Sequence, residues 1–458
     1  MNYIVKIDTI TFNHTYNKLI DSNLISNYKK IIFGHKFNRP INKLPNSLIH
    51  ITFGNNFNKP VDILPEQLIQ LTFGYNFNYP VNKLPKHLTH LTFGFKFNRA
   101  VNNLPQGLIQ LIFNHDFNKP VDNLPRYLTL LTFGDNFNRY VNKLPAYLIQ
   151  LNFGIKFNQS VDNLPKYLTQ ITFGENFNQP VDNLPNELTQ LTFGKNFNLN
   201  VDNLPKHLIN LTFGEDFNQP VDNLPNILTH LTFGYYFNQS VDNLPNILTH
   251  LTFNNRFNQQ VDNLPNELTQ LTFGFYFNQP VNNLPKTLTH LTFGDSFNQL
   301  VNNLPNTLTH LAFGDSFNQL VNNLPKTLTH LAFGYEFNKR IDIPYNIKYL
   351  RLNCNNQYLI DNLPDGIEEL VFGDEFDEIE LNNLPSFIKS ISFGIDSKYN
   401  KELNCLPNFI ESIQLPYNFN KKILKIPEKL KQIICFINYK FIKDFDNYRV
   451  YNYNFGYL

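Results

Sequence analysis

Residues Leu288–Leu320 read LTHLTFGDSFNQLVNNLPNTLTHLAFGDSFNQL. The unit LTHL-x-FGDSFNQLVNNLP is written once and then again twenty residues later. Residues 281–300 and 301–320 differ only at Lys286/Asn306 and Thr292/Ala312. The period runs outward in both directions. Leu-Pro recurs every twenty residues from Leu44-Pro45 to Leu324-Pro325, fifteen times without a slip. One Phe recurs from Phe33 to Phe333, and a second, always followed by Asn, from Phe37 to Phe337. A 458-residue chain would ordinarily suggest several domains. A repeat array can instead be one body of any length.

Six places per unit are apolar, in one coil Val281, Leu284, Leu288, Leu291, Phe293 and Phe297. Burying six side chains cannot offset the ordering of twenty residues. Bonds to neighbouring coils must supply the rest, which is the logic of a solenoid. Leu291-x-Phe293 alternates, so both point inward from a short strand while His290 and Thr292 point outward. Stacked coils join such strands into a parallel sheet. The next place is Gly, replaced only by Asn114 and Asn254 in the regular coils, which suggests a left-handed turn residue. Pro fixes φ and lacks an N–H, so it belongs outside the ladder. No window suits a helix of ordinary length.

The expectation is therefore a mainly β repeat solenoid: a curved body of about 22 coils of 20–22 residues, with one short parallel strand per coil. Residues 1–30 are read as an N-terminal capping coil, with Ile7, Ile10 and Phe12 inward. Residues 31–340 form the regular repeats, 341–428 degenerate repeats, and 429–458 an irregular, aromatic C-terminal cap.

The Asn after the second Phe never varies: Asn38, Asn58, Asn78, Asn98, Asn118, Asn138, Asn158, Asn178, Asn198, Asn218, Asn238, Asn258, Asn278, Asn298, Asn318 and Asn338. Buried amides must be hydrogen-bonded, and identical amides at coil spacing can bond each other and the turn backbone. This column is read as a structural ladder.

The unit FGxxFNxP with LPxxLxxL resembles the FNIP repeat family, named for a Phe-Asn-Ile-Pro core. Phe-Asn is kept throughout, and Ile-Pro is replaced by Gln-Pro, Lys-Pro or Tyr-Pro. The resemblance covers about residues 30–430. It implies a source among social amoebae or the large viruses that infect amoebae, and a grouping with leucine-rich repeats. The Asn here falls five residues after the strand Phe, at Asn298 after Phe293, later than in leucine-rich repeats, so the turn should differ. Some family members carry an F-box and act as substrate receptors of ubiquitin ligases. The first coil begins by about Ile7, so no F-box is expected ahead of it. A ubiquitin-ligase role would need a separate F-box or cullin-linked partner.

The net charge of +1 steers the chain to neither nucleic acid nor membrane. Cys354, Cys405 and Cys435 form no disulfide framework, which fits a reducing compartment. Neither a secretory signal nor an apolar run long enough to span a membrane is read. A cytoplasmic location follows, the host cytoplasm if the source is viral. No Gly-rich nucleotide loop, Cys-x-x-Cys, His-Glu-x-x-His or nucleophile elbow is present. Near-identical units offer like residues everywhere, whereas catalysis needs unlike residues in one place. No enzyme activity and no cofactor are expected.

The outward strand place holds His or Gln in most coils: His230, His250, Gln270, His290, His310 and His330 in succession. The reading is a neutral hydrogen-bonding concave face, not a metal site, because no Cys or carboxylate column completes one. The places after Gly vary and carry Tyr75, Phe95, Tyr235, Tyr236, Phe275, Tyr276 and Tyr335. Exposed aromatics on a rigid scaffold are binding anchors. A further column is basic early, at Arg39, Lys59, Arg99, Lys119 and Arg139, and then Gln from Gln159 to Gln319 apart from Leu199; it is read as a solvated face. The function expected is a non-catalytic protein-interaction scaffold, possibly an adaptor, monomeric, with a protein partner of unknown identity. The expected contact set is Tyr235, Tyr236, His250, Gln270, Phe275, Tyr276, His290, His310 and His330. The alternative from another class is a passive structural or surface protein.

Overall fold

The computed structural model describes residues 3–42 and 44–452. It divides into two compact units, Met1–Gly234 and Tyr235–Leu458. Each is a parallel β-solenoid with almost no helix.

In the first unit an antiparallel hairpin, Tyr3–Lys6 with Thr9–Phe12, precedes the regular coils. Ile10 and Phe12 are buried, but Ile7 sits at the hairpin turn, fully exposed, and not in a coil interior as the spacing suggested. Thr9–Phe12 then pairs in parallel with Lys30–Ile32, and each later strand pairs with the place twenty residues on, up to His230–Thr232. A four-residue helix, Ser22–Ile25, is capped by Asp21, whose carboxylate accepts the Asn23 N–H at 2.9 Å.

The second unit runs from His250–Thr252 to Gln432–Cys435 in the same parallel manner. Counting Thr9–Phe12 to His230–Thr232 and then His250–Thr252 to Gln432–Cys435, the two units hold twelve and ten coil strands among the described residues. The C-terminal stretch is less irregular than its composition suggested. A 3-10 turn at Ile442–Phe445 leads into Arg449–Asn452, which adds one more parallel strand. Residues 453–458, part of the expected cap, lie outside the described residues.

The coil follows from its residues. Leu291 and Phe293 are buried, and His290 and Thr292 face out. Two turns close the loop. The Pro285 carbonyl accepts the Leu288 N–H at 3.3 Å, and the Gly294 carbonyl accepts the Phe297 N–H at 3.2 Å. The two phenylalanines stack within a coil (Phe293–Phe297, 3.9 Å) and between coils (Phe293–Phe313, 5.5 Å; Phe297–Phe317, 6.0 Å). An aromatic spine therefore runs through each unit, and its contacts lie between residues twenty apart.

The glycine column has a different cause from the one the sequence suggested. No described residue, glycine or other, has positive φ. A Cβ on Gly294 would instead run into the carbonyl of Gly274. Close stacking of one turn on the next, not a left-handed backbone, favours glycine. Asn114 and Asn254 carry a Cβ here, each flanked by Gly in both neighbouring coils. Each turns its Oδ1 to the next N–H, His115 at 3.0 Å and Asn255 at 2.8 Å.

Candidate functional site

The invariant asparagines form a ladder of side chain to backbone. Each Oδ1 accepts the backbone N–H of the Asn one coil later, at 2.8–3.2 Å, from Asn17 to Asn218 in the first unit and from Asn238 to Asn338 in the second. The column starts at Asn17, one coil earlier than the repeat pattern indicated. The amides are half-buried or exposed rather than buried, because the column runs along a surface turn. The following column braces it. Gln299 and Gln319 donate to Asn278 and Asn298 Oδ1 at 3.1 and 3.0 Å, and Arg39, Arg99 and Arg139 donate Nε–H to the carbonyl of an Asn at 2.9–3.2 Å. What read as a solvated face is part of the scaffold.

The outer strand face of the second unit carries His250, Gln270, His290, His310 and His330 in register. The imidazoles of His290, His310 and His330 stack at 4.1 and 4.0 Å, and Tyr349 continues the stack at 5.5 Å. Each histidine follows a threonine whose Oγ1 donates to the carbonyl of the Thr one coil back: Thr289 at 3.0 Å, Thr309 at 3.1 Å and Thr329 at 3.2 Å. The same Oγ1 lies 2.9 Å from its own histidine's Nδ1. A hydroxyl has one hydrogen, and it is spent on the carbonyl. The Nδ1 must therefore donate, and Nε2 keeps its lone pair. His250 meets Thr249 in the same way at 2.8 Å. His230, the earlier member of the column, lies on the last strand of the first unit.

Burial first, and then the facing imidazoles of His330 and His290, push His310 down to about 4. At neutral pH His310 is thus an uncharged acceptor within the stack. Stacked rings aim their lone pairs side by side and not at one point, which is poor geometry for a tetrahedral ion. Among the described residues no group of three or more His, Cys, Asp or Glu is placed to hold a metal.

The turn that follows the strand carries the aromatics. Tyr235 packs edge-on against Tyr236 at 4.7 Å, and Phe275 against Tyr276 at 4.8 Å. The coil between supplies Arg256, whose guanidinium lies 5.0 Å from the Tyr276 ring and 5.9 Å from Tyr235. Sequence reading passed over Arg256. The signal was present, since Arg256 occupies the same place in the repeat as Tyr236 and Tyr276. Tyr236, Phe275 and Tyr276 are 47%, 42% and 41% exposed, so an aromatic–guanidinium platform stands open beside the strand face.

All three cysteines are free. Cys354 and Cys435 are buried, with burial pushing their thiols up to about 12 and about 11, and Cys405 is exposed. Among the described residues no helix is long and apolar enough to cross a membrane.

Comparison with known proteins follows the same lines. The FNIP Repeat pattern matches residues 37–63, 57–96, 177–216, 217–255, 240–276, 257–296, 277–316, 300–336, 317–355 and 355–396. Among solved structures, CroV588, described as a novel circular LRR protein structure, is 37% identical, with a TM-score of 0.80 over 97% of this chain and 78% of that one. YopM from Yersinia enterocolitica WA-314 is 20% identical, with a TM-score of 0.51 over 86% of this chain and 88% of that one. TLR13, in its complex with ssRNA13, is 15% identical, with a TM-score of 0.54 over 93% of this chain and 79% of that one. These last two likenesses concern the fold alone. No curated protein matches.

Proposed function

This chain belongs to the FNIP repeat family, and from that premise we propose that it is a non-catalytic scaffold which binds a protein partner in the cytoplasm. Leucine-rich-repeat-like solenoids are a fold typical of protein–protein interaction. The partner contacts the outer strand face of the second unit and the turn beside it. The observation that carries this reading is the open Tyr–Arg–Tyr platform, with Phe275, next to the stacked histidine column. Aromatics and arginine bury much area at little entropy cost and dominate interface energies. The histidine and glutamine column then sets the alignment of the partner along the coils.

The test replaces Tyr235, Tyr236 and Tyr276 by Ala together. The expected result is loss of partner capture, measured by affinity purification with quantitative mass spectrometry, at an unchanged melting temperature. A melting temperature that falls, with capture in proportion to the folded fraction, would mean that the rings only brace the turns. A wild-type chain that captures nothing specific would point to a passive surface.

A further inference from the structure

Arg256 is the only lysine or arginine from His207 to Pro285, although Asp242, Asp262 and Glu267 belong to the coils around it. An arginine among carboxylates ordinarily pairs with one of them. This one does not: among the described residues its guanidinium forms no ion pair and no hydrogen bond. What holds it are the rings of Tyr276, at 5.0 Å, and Tyr235, at 5.9 Å. A ring face attracts the charge without taking any of the five N–H donors. The guanidinium is therefore steadied in an exposed turn with its donor fork unspent. The hydroxyls of Tyr236 and Tyr276 beside it also make no hydrogen bond among the described residues.

We propose that the platform recognises an extended peptide segment of the partner by one aspartate or glutamate, whose carboxylate takes the Arg256 fork; the inference rests on the platform being the contact surface. A planar fork matches the paired oxygens of a carboxylate or of a phosphate. Charge decides between them. A carboxylate carries one negative charge, which one guanidinium balances. A phosphate carries nearly two, and the second would have no cation to meet. The next basic residues along the chain are Lys206, in the other unit, and Lys286, which stands in the proline turn before its strand and not in the turn after it. A second charge left unpaired at an interface is costly. Phe275 lies edge-on to Tyr276 at 4.8 Å and is open, so the residue flanking the acid covers it best when apolar. Because the rings already hold Arg256, little side-chain freedom is lost when the carboxylate binds.

Selection of a displayed random-peptide library on the full chain tests this. The baits are the wild type, Arg256→Glu, Arg256→Gln and the triple alanine variant at Tyr235, Tyr236 and Tyr276. The wild type is expected to enrich peptides with an Asp or Glu beside an apolar residue. Arg256→Glu should enrich Lys or Arg at that place instead, and Arg256→Gln neither, at an unchanged melting temperature because Arg256 is exposed. A synthetic peptide from the wild-type selection should bind about tenfold more weakly when its acid is changed to the amide, read by fluorescence anisotropy. Peptides with no acid preference that are lost on the triple variant overturn the carboxylate and leave the platform an interface. So does an acid preference that persists in Arg256→Glu, or tighter binding when phosphoserine replaces the acid. Peptides indifferent to the triple variant, or none enriched at all, overturn the platform reading and this inference with it. Should Arg256→Glu melt early, Arg256→Gln decides, and an acid preference that survives in it overturns the proposal.

Discussion

Two stretches of the second unit solve the same stacking problem differently. In the coils from Thr289 to Thr329, the place before each strand is threonine, and its hydroxyl reaches the carbonyl of the previous coil. In the coils that follow, that place reads Lys348, Glu368, Lys389, Glu411 and Lys431. Glu368 bridges Lys348 at 3.1 Å and Lys389 at 2.5 Å, and Glu411 meets Lys431 at 2.7 Å. The regular coils also keep strict spacing. The later ones pair Tyr349 with His330 nineteen residues back, but Ser412 with Ser390 twenty-two back. The Asn ladder gives way too. Asn355 Oδ1 accepts the N–H groups of Asp377 and Glu378 at 3.1 and 3.2 Å, and the buried Ser397 hydroxyl donates to the Phe376 carbonyl at 2.8 Å.

The difference teaches what identity between coils costs. A threonine accepts any threonine coil as its neighbour, so identical coils say nothing about which coil should follow. Alternating charges do, because a coil displaced by one would set lysine on lysine and glutamate on glutamate. The charged column thus specifies order where the spacing wanders and a twenty-residue rule no longer does. These pairs are exposed, so their contribution to stability is small and their contribution to register is the greater.

The largest expected effect separates the two glycine environments. Gly294→Ala forces a carbon into the backbone of Gly274 and should cost at or above the upper end of the ~1–3 kcal/mol range for overpacking. At Gly373 the same carbon meets the side chain of Asn353 and not backbone, but the Asn353 Cβ is among the atoms met and its Oδ1 accepts the Glu375 N–H at 3.2 Å, so Gly373→Ala should be destabilising, by less than Gly294→Ala. Equal melting temperatures for the two variants would break the distinction.

Next in size is the ladder. Asn298 Oδ1 accepts both the Asn318 N–H and the Gln319 amide at 3.0 Å. Asn298→Ala should cost about 1–2 kcal/mol by chemical denaturation, the lower part of the range because the site is half-buried. Removing both partners with Asn298→Ala and Gln319→Ala should cost less than the two single losses together, as coupled residues do. Strict additivity would mean that the Gln column does not brace the ladder.

The smallest effect is the response to acid. His310 is held at about 4 in the folded chain, below its ordinary 6.5, so the unfolded chain binds a proton first. Its contribution is fully present above 6.5 and is lost as pH falls toward 4. The loss should be on the order of 1 kcal/mol once solvent screening is allowed for. His310→Gln, a residue that the column already uses at Gln270, should flatten the melting temperature between pH 6.5 and 4. Glu368, held below the usual carboxylate range by hydrogen bonds from Lys389 and then Lys348, loses its contribution only at lower pH. Added salt should weaken that column and leave the neutral threonine coils unchanged. A variant whose pH profile matches wild type would remove the stack from the account.

By itself the sequence determined the period, the strand at x-Leu-x-Phe and its inward face. These depend on alternation within one coil, which a linear reading sees. It also placed the Asn column and the family. The reason for the glycines lay beyond it, because the carbonyl that excludes a Cβ belongs to the coil before. So did Arg256 between two tyrosines, the bracing role of the Gln column and the N-terminal hairpin. The alternating charges from Lys348 to Lys431 stand at unequal spacing, and only the strand register brings them into one column. In a solenoid each side chain's surroundings come mostly from the coils before and after it. The inward pattern is therefore legible along the chain, and the cause of each outward residue is decided by what is stacked against it.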